Sequence, residues 1–201
     1  MSTLTISNYT LKHFDLRAKS IMDEYLKLIN VDVSDYTFAG NYIWLSTATG
    51  FYTIVNETFC LFILNSGELT MLLPPIGKKE NTYDAMLQCF DIMNSHNSNR
   101  NYSKIEYVHE ELLEGFVDYL EEGTLVYEML KDFIIEKKLV DYIYKVEDLI
   151  DLKGDSYKSK RNEINRFRNV YPNHRIEIFD KEKHGSAVMS LFNKWVKDRT
   201  T

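Results

Sequence analysis

Proline, glycine and cysteine are all scarce in this chain: three, eight and two of them among 201 residues. So little Pro and Gly excludes a collagen-like or low-complexity chain, and with 44% hydrophobic and 13% aromatic residues the chain has too much apolar surface to be disordered. Cys60 and Cys89 form no Cys-x-x-Cys and join no Cys/His cluster, which excludes a zinc ribbon and a disulfide framework; both are expected to be buried structural thiols. No run approaches the roughly 18–20 apolar residues a membrane helix needs, and Met1 to Thr10 lacks the basic start and apolar stretch of a signal peptide. A cytoplasmic protein is the expectation, acting at a membrane only peripherally if at all.

The common enzyme signatures are absent too. A P-loop would need Gly five positions before Gly77 and Ser or Thr after Lys78, where the chain has Leu72 and Lys79. His109, Glu110 and Glu111 begin like a zinc-protease helix, but the second His is required at the position held by Leu113. There is no Gly-x-Ser-x-Gly elbow, no dinucleotide fingerprint and no Gln/Arg-x-x-Gly-x-Gly/Ala loop of the kind that wraps a coenzyme A pyrophosphate. No metal and no cofactor is expected, and the catalytic residues stay unassigned.

What the chain does have is a charge asymmetry. Residues 1–152 hold 12 Lys/Arg against 24 Asp/Glu, a balance of −12, whereas residues 153–201 hold 12 against 6, a balance of +6. Lys153, Lys158, Lys160, Arg161, Arg166 and Arg168 face only Asp155 and Glu163 in the same stretch. Such a cluster is an electrostatic footprint for phosphate, with a solvated helix face as the competing reading.

Hydrophobic periodicity sets out the elements. Leu11 to Ile29 repeats apolar residues at helical spacing, Asn30 terminating it. Phe51 to Val55, Phe59 to Leu64 and Leu69 to Leu73 read as an antiparallel meander, with Asn65, Ser66 and Gly67 as a hairpin turn and Pro74, Pro75 and Gly77 as the stop. A helix over Thr82 to Met93, a loop to Ser103, a strand over Lys104 to Val108 and a helix over Glu110 to Leu120 follow. Strands are expected at Leu125 to Met129, Lys138 to Tyr144 and His174 to Phe179, and helices at Val146 to Leu152, Ser156 to Val170 and His184 to Arg199. The whole is an α+β, or mixed α/β, chain with a largely antiparallel sheet flanked by helices.

In the helix from Ser156, Tyr157, Ile164, Phe167 and Tyr171 share one side, while Lys158, Arg161, Asn162, Asn165 and Arg168 fall elsewhere, several at i, i+3 and i+4. Arg161 can grip a phosphate bidentately, Lys158 and Lys160 act as mobile point charges, and Asn162 and Asn165 both donate and accept. For the two Asn a structural role between loops is an equal alternative. Asp141, Tyr142 and Tyr144 are acid/base candidates on a strand that more often packs rings in a core. His174 and His184 have no carboxylate or Ser partner visible in sequence and read as structural or solvated. The acidic run from Glu110 to Glu122 reads as a solvated face or a dock for the basic helix of another copy.

Asp141-Tyr142-Ile143-Tyr144, then Leu152-Lys153-Gly154, then Lys160-Arg161-Asn162 with Ile164, Asn165 and Phe167 reproduce a D-Y-I-Y strand, an L-x-G turn and a K-R-N-x-I-N-x-F helix. This resembles a family of uncharacterised bacterial proteins related to the C-terminal domain of phosphatidylglycerol lysyltransferase. More loosely, Tyr36, Phe38, Asn41, Tyr42 and Trp44 match its upstream aromatic segment, and Pro75 with Gly77 its P-x-G turn. The resemblance implies tandem GNAT-like acyltransferase modules, as in Fem-type aminoacyltransferases. The first module would span residues 1–172 and a second would begin over 173–201, so that the chain looks truncated. It further implies an aminoacyl-tRNA or acyl-coenzyme A donor and a lipid or amine acceptor. A non-catalytic interaction module, self-associating through the helix around Trp195, is the competing expectation.

Overall fold

The run Phe59-Cys60-Leu61-Phe62-Ile63 has no polar member, and in a strand such a run must be covered on both faces. The computed structural model of the chain, which describes residues 3–45, 48–117, 133–136 and 140–199, bears this out. Strands β1 (Thr3–Ile6), β2 (Tyr9–His13), β3 (Thr49–Val55), β4 (Thr58–Asn65) and β5 (Glu68–Met71) form one antiparallel sheet in sequential order. Phe51 pairs with Phe62 and Tyr52 with Leu61 between β3 and β4, and Phe62 pairs with Met71 between β4 and β5. Continuous apolar strands usually signal a parallel sheet; here an antiparallel strand acquires one because helices cover both of its faces.

Period-2 alternation sorts the core. Cys60 and Phe62 point to one face, where Ala85, Cys89, Ile92 and Met93 of helix α3 (Lys79–His96) meet them. Phe59, Leu61 and Ile63 point to the other, against Ala18 and Met22 of α1 (Ala18–Leu26) and Phe38 of α2 (Phe38–Trp44). Cys60 and Cys89 are fully buried and form no disulfide, as expected of structural thiols, and burial, with the neighbouring Cys60 thiol, pushes the Cys89 thiol up.

Packing divides the chain into two units, Met1–Asp141 and Tyr142–Thr201. The first holds the sheet, α1 to α3 and α4 (Glu110–Val117); the second holds α5 (Val146–Asp151), α6 (Lys158–Val170) and α7 (Lys181–Arg199). The mixed α+β class with a largely antiparallel sheet is therefore as expected.

Several elements depart from expectation. The helix read from Leu11 begins only at Ala18, because Leu11 belongs to β2 and pairs with Leu4 in the β1–β2 hairpin. Residues 104–108 add only a single parallel bridge, Ile105 to Met71, rather than a full strand. His174 to Phe179 forms no strand: Ile176 and Ile178 are each 95% exposed, and a strand exists only with a partner. Residues 140–144 are likewise without strand pairing, and the strand expected at Leu125 to Met129 lies outside the described residues.

Candidate functional site

Site geometry starts with the turn before α6. Helix α5 ends on Leu152 with φ of 47°, a left-handed conformation that leaves its last carbonyls without helical partners. Gly154 follows with φ 86° and ψ 175°, a region open to glycine alone. Arg161, one turn into α6, reaches back with a single Nη1 to donate to the carbonyls of both Gly154, at 2.7 Å, and Leu152. The L-x-G turn and the Arg of the K-R-N element are thus one physical unit: the guanidinium holds the turn's shape.

Along α6, Lys158 lies three and four residues before Arg161 and Asn162, Asn165 lies four and three after them and Arg168 three further on, so the five line a single stripe. Except for the half-buried Arg161 all are exposed, so the described residues leave the stripe open to a ligand. Lys160 stands apart, two residues round the helix, where its Nζ is 3.1 Å from Glu163. Of the six residues expected to contact phosphate, the fold therefore aligns five, engages one of those in the turn, and puts Lys160 elsewhere beside a carboxylate. Asp141, Tyr142 and Tyr144 are exposed, and the like charge of Asp141 adds to burial in holding the Asp35 carboxyl above its ordinary range.

The other end of α6 carries a feature that sequence reasoning passed over. The Tyr171 N–H still donates to Phe167 O at 2.8 Å, but Pro172 cannot continue the helix, and the chain turns back. In the turn the Phe167 ring lies 5.1 Å from the Tyr171 ring and 5.1 Å, edge-on, from the His174 ring. His174 Nδ1 is 2.7 Å from Tyr171 O. A carbonyl only accepts, so Nδ1 is the donor in this contact. These residues, with Val170, Pro172, Asn173 and Arg175, line an open cleft of about 570 Å³. The partner of His174 is a backbone carbonyl three residues back, which the search for a carboxylate or Ser partner could not see.

His184, expected to be structural or solvated and without a carboxylate partner visible in sequence, has Nδ1 accepting from the Asp180 N–H at 2.9 Å and Nε2 3.4 Å from Glu177. Among the described residues no three His, Cys, Asp or Glu side chains cluster to hold a metal ion, and no helix is long and apolar enough to cross a membrane.

The family described as phosphatidylglycerol lysyltransferase, C-terminal, matches residues 26–201. The chain belongs to that family. No curated protein matches it. Among solved structures, the crystal structure of a conserved protein of unknown function from Bacteroides thetaiotaomicron is similar, with a TM-score of 0.69 at 18% sequence identity. That similarity covers 98% of this chain and 61% of the other, so this chain spans about three-fifths of its length and shares its fold.

Proposed function

We propose that this protein acts in the transfer of an aminoacyl group from aminoacyl-tRNA to a lipid or amine acceptor, on GNAT-like modules of which residues 1–172 form the first and 173–201 open a second. The observation that carries the reading is the match of the lysyltransferase family over residues 26–201, joined to the polar stripe of α6. Lys158 and Arg168 supply charge for a polyanionic donor, Asn162 and Asn165 supply neutral donors and acceptors between them, and Arg161 keeps the helix and its preceding turn in register. Acyl-coenzyme A, also a phosphate-bearing donor, is the alternative for the same stripe. Incubation with lysyl-tRNA labelled in the lysine and with phosphatidylglycerol vesicles tests it: label appearing in the lipid extract supports the transfer, and label remaining on tRNA or released only as free lysine counts against it.

A second reading is favoured by one observation. Helices α5, α6 and α7 contain no buried residue, and Leu191, Phe192 and Trp195 of α7 are each at least half exposed. An interaction module that self-associates through α7 would cover them. Light scattering across a tenfold range of concentration separates the readings, since only self-association makes the mass rise.

A further inference from the structure

We propose that residues 174–178 pair antiparallel with the same residues of a second copy of this chain, about a two-fold axis at Ile176 that sets Arg175 of each copy opposite Glu177 of the other; the inference deepens the self-association reading and rests on it. Between Pro172 and α7 the chain alternates in space as well as in sequence. Glu177 meets the Lys183 ammonium and lies 3.4 Å from His184 Nε2, and the Phe179 ring is 6.0 Å from the His184 ring, so these two residues turn toward the start of α7. Ile176 and Ile178 are each 95% exposed. One side of the segment thus rests on a helix and the other is bare, which is the period of a strand, yet among the described residues no backbone–backbone hydrogen bond engages residues 175–179. What such a segment lacks is an edge to pair with.

Charge complementarity makes the second copy the occupant and fixes the register. Side chains of one face stay together in a two-fold antiparallel pair only when the axis falls on a residue rather than between two. An axis on Arg175 sets two guanidinium groups directly opposite each other, and an axis on Glu177 sets two carboxylates so. The axis on Ile176 between them sets Arg175 opposite Glu177 twice, Ile176 opposite Ile176, and Ile178 opposite His174. Arg175, which has no ion pair among the described residues, gains one, and Glu177 receives a further cation beside Lys183 and His184. On the bare face the four isoleucines of the two copies come side by side, each Ile178 diagonal to the other copy's Ile176. A two-stranded ribbon alone is marginal in water, but each strand of this one already packs on the first turn of its own α7.

Sedimentation of the whole chain over a range of concentrations tests the register by exchanging its charges. The wild type is expected to associate, and Arg175→Glu and Glu177→Arg each to weaken association by about tenfold or more, because each sets like charges opposite at both symmetric places. An equimolar mixture of the two single variants is expected to associate again, since one copy then carries a carboxylate and the other a cation at both positions. The double variant Arg175→Glu/Glu177→Arg recovers for the same reason. A second measurement leaves the charges alone: under mild oxidation Ile176→Cys is expected to cross-link into dimers in higher yield than Ile178→Cys, because only position 176 faces itself. A wild-type chain that stays monomeric overturns the ladder and the self-association reading together. Association that the single charge variants leave unchanged, a mixture that does not recover, or equal cross-linking at 176 and 178 overturns the ladder. If Leu191→Ser/Trp195→Ser then abolishes that association, self-association through α7 stands without it.

Discussion

Asn97 serves the edge of β5 as a neighbouring strand would. Its Oδ1 accepts from the Leu69 N–H at 2.8 Å and its Nδ2 donates to Leu69 O at 2.9 Å, all of it buried. Asn97→Ala strands a buried donor and a buried acceptor, and a loss of about 2–3 kcal/mol in urea unfolding is expected. Tyr36 has a comparable part: its hydroxyl donates to Tyr107 O at 2.7 Å and accepts from the His109 N–H, and burial pushes its pKa up. Asp15 is a case in which hydrogen bonding rather than burial decides. Hydrogen bonds from Arg17 hold its carboxyl down to about 2, from an ordinary 3.8. A depressed carboxylate contributes stability that is complete above its ordinary value and is lost as pH falls from about 3.8 toward about 2. Carbon-detected NMR titration is expected to put the Asp15 midpoint near 2 and to raise it part of the way to the ordinary range in Arg17→Ala, which keeps the backbone N–H at position 17.

The β3–β4 hairpin shows what an element costs when its turn chemistry is unfavourable. Its two-residue loop puts Asn56 at φ 45° and Glu57 at φ 56°, both left-handed, as a turn matching the twist of the strands requires. Asn suits this; Glu does not, and Asn81 holds the loop through Asn56 at 2.9 Å and Glu57 at 3.2 Å. Glu57→Gly is expected to raise stability by about 1 kcal/mol, the relief of the left-handed strain exceeding the exposed hydrogen bond lost. Gly77 is the opposite case. A Cβ there would lie 2.8 Å from Thr58 Cγ2 and 3.2 Å from Glu57 O. Thr58 is fully buried and cannot move aside, so Gly77→Ala is expected to destabilise measurably in the same unfolding experiment.

Strands β3 to β5 were legible as short runs rich in β-branched and aromatic residues broken by turn residues, and helix α3 by apolar residues at helical spacing. Helix α2 was not, since an aromatic segment with a central Gly has little amphipathic signal. Its real mark is Thr37, whose side chain caps the Gly40 N–H. The run His174 to Phe179 alternates like a strand but has no strand partner among the described residues, and alternation without an edge to pair with forms no ladder.

At the scale of the whole molecule the acidic and basic parts of the sequence correspond to different kinds of structure. Met1–Asp141 buries a two-sided core on its sheet; the described residues of Tyr142–Thr201 form helices and turns with none of them buried, held locally by contacts such as Arg161 to the Leu152–Gly154 turn and Arg199 4.5 Å over the Trp195 ring. The stripe on α6 could be read in advance because helical spacing is a property of sequence. The turn-holding use of Arg161 could not, because it depends on Leu152 taking a left-handed conformation. Nor could the His174 cleft, which depends on where the chain goes after Pro172. Arg161→Ala is accordingly expected to change the structure of the turn as well as any phosphate affinity, so the stripe is better probed through Lys158 and Arg168.

Binding of aminoacyl-tRNA to the wild-type chain and to the Lys158→Ala/Arg168→Ala double variant, measured by electrophoretic mobility at several low salt concentrations, addresses the central claim most directly. The account predicts a complex that weakens steeply with salt and a variant that binds more weakly with a shallower salt slope, as the loss of two phosphate contacts requires. No complex at the lowest salt, or a complex that the double substitution leaves unchanged, would contradict it.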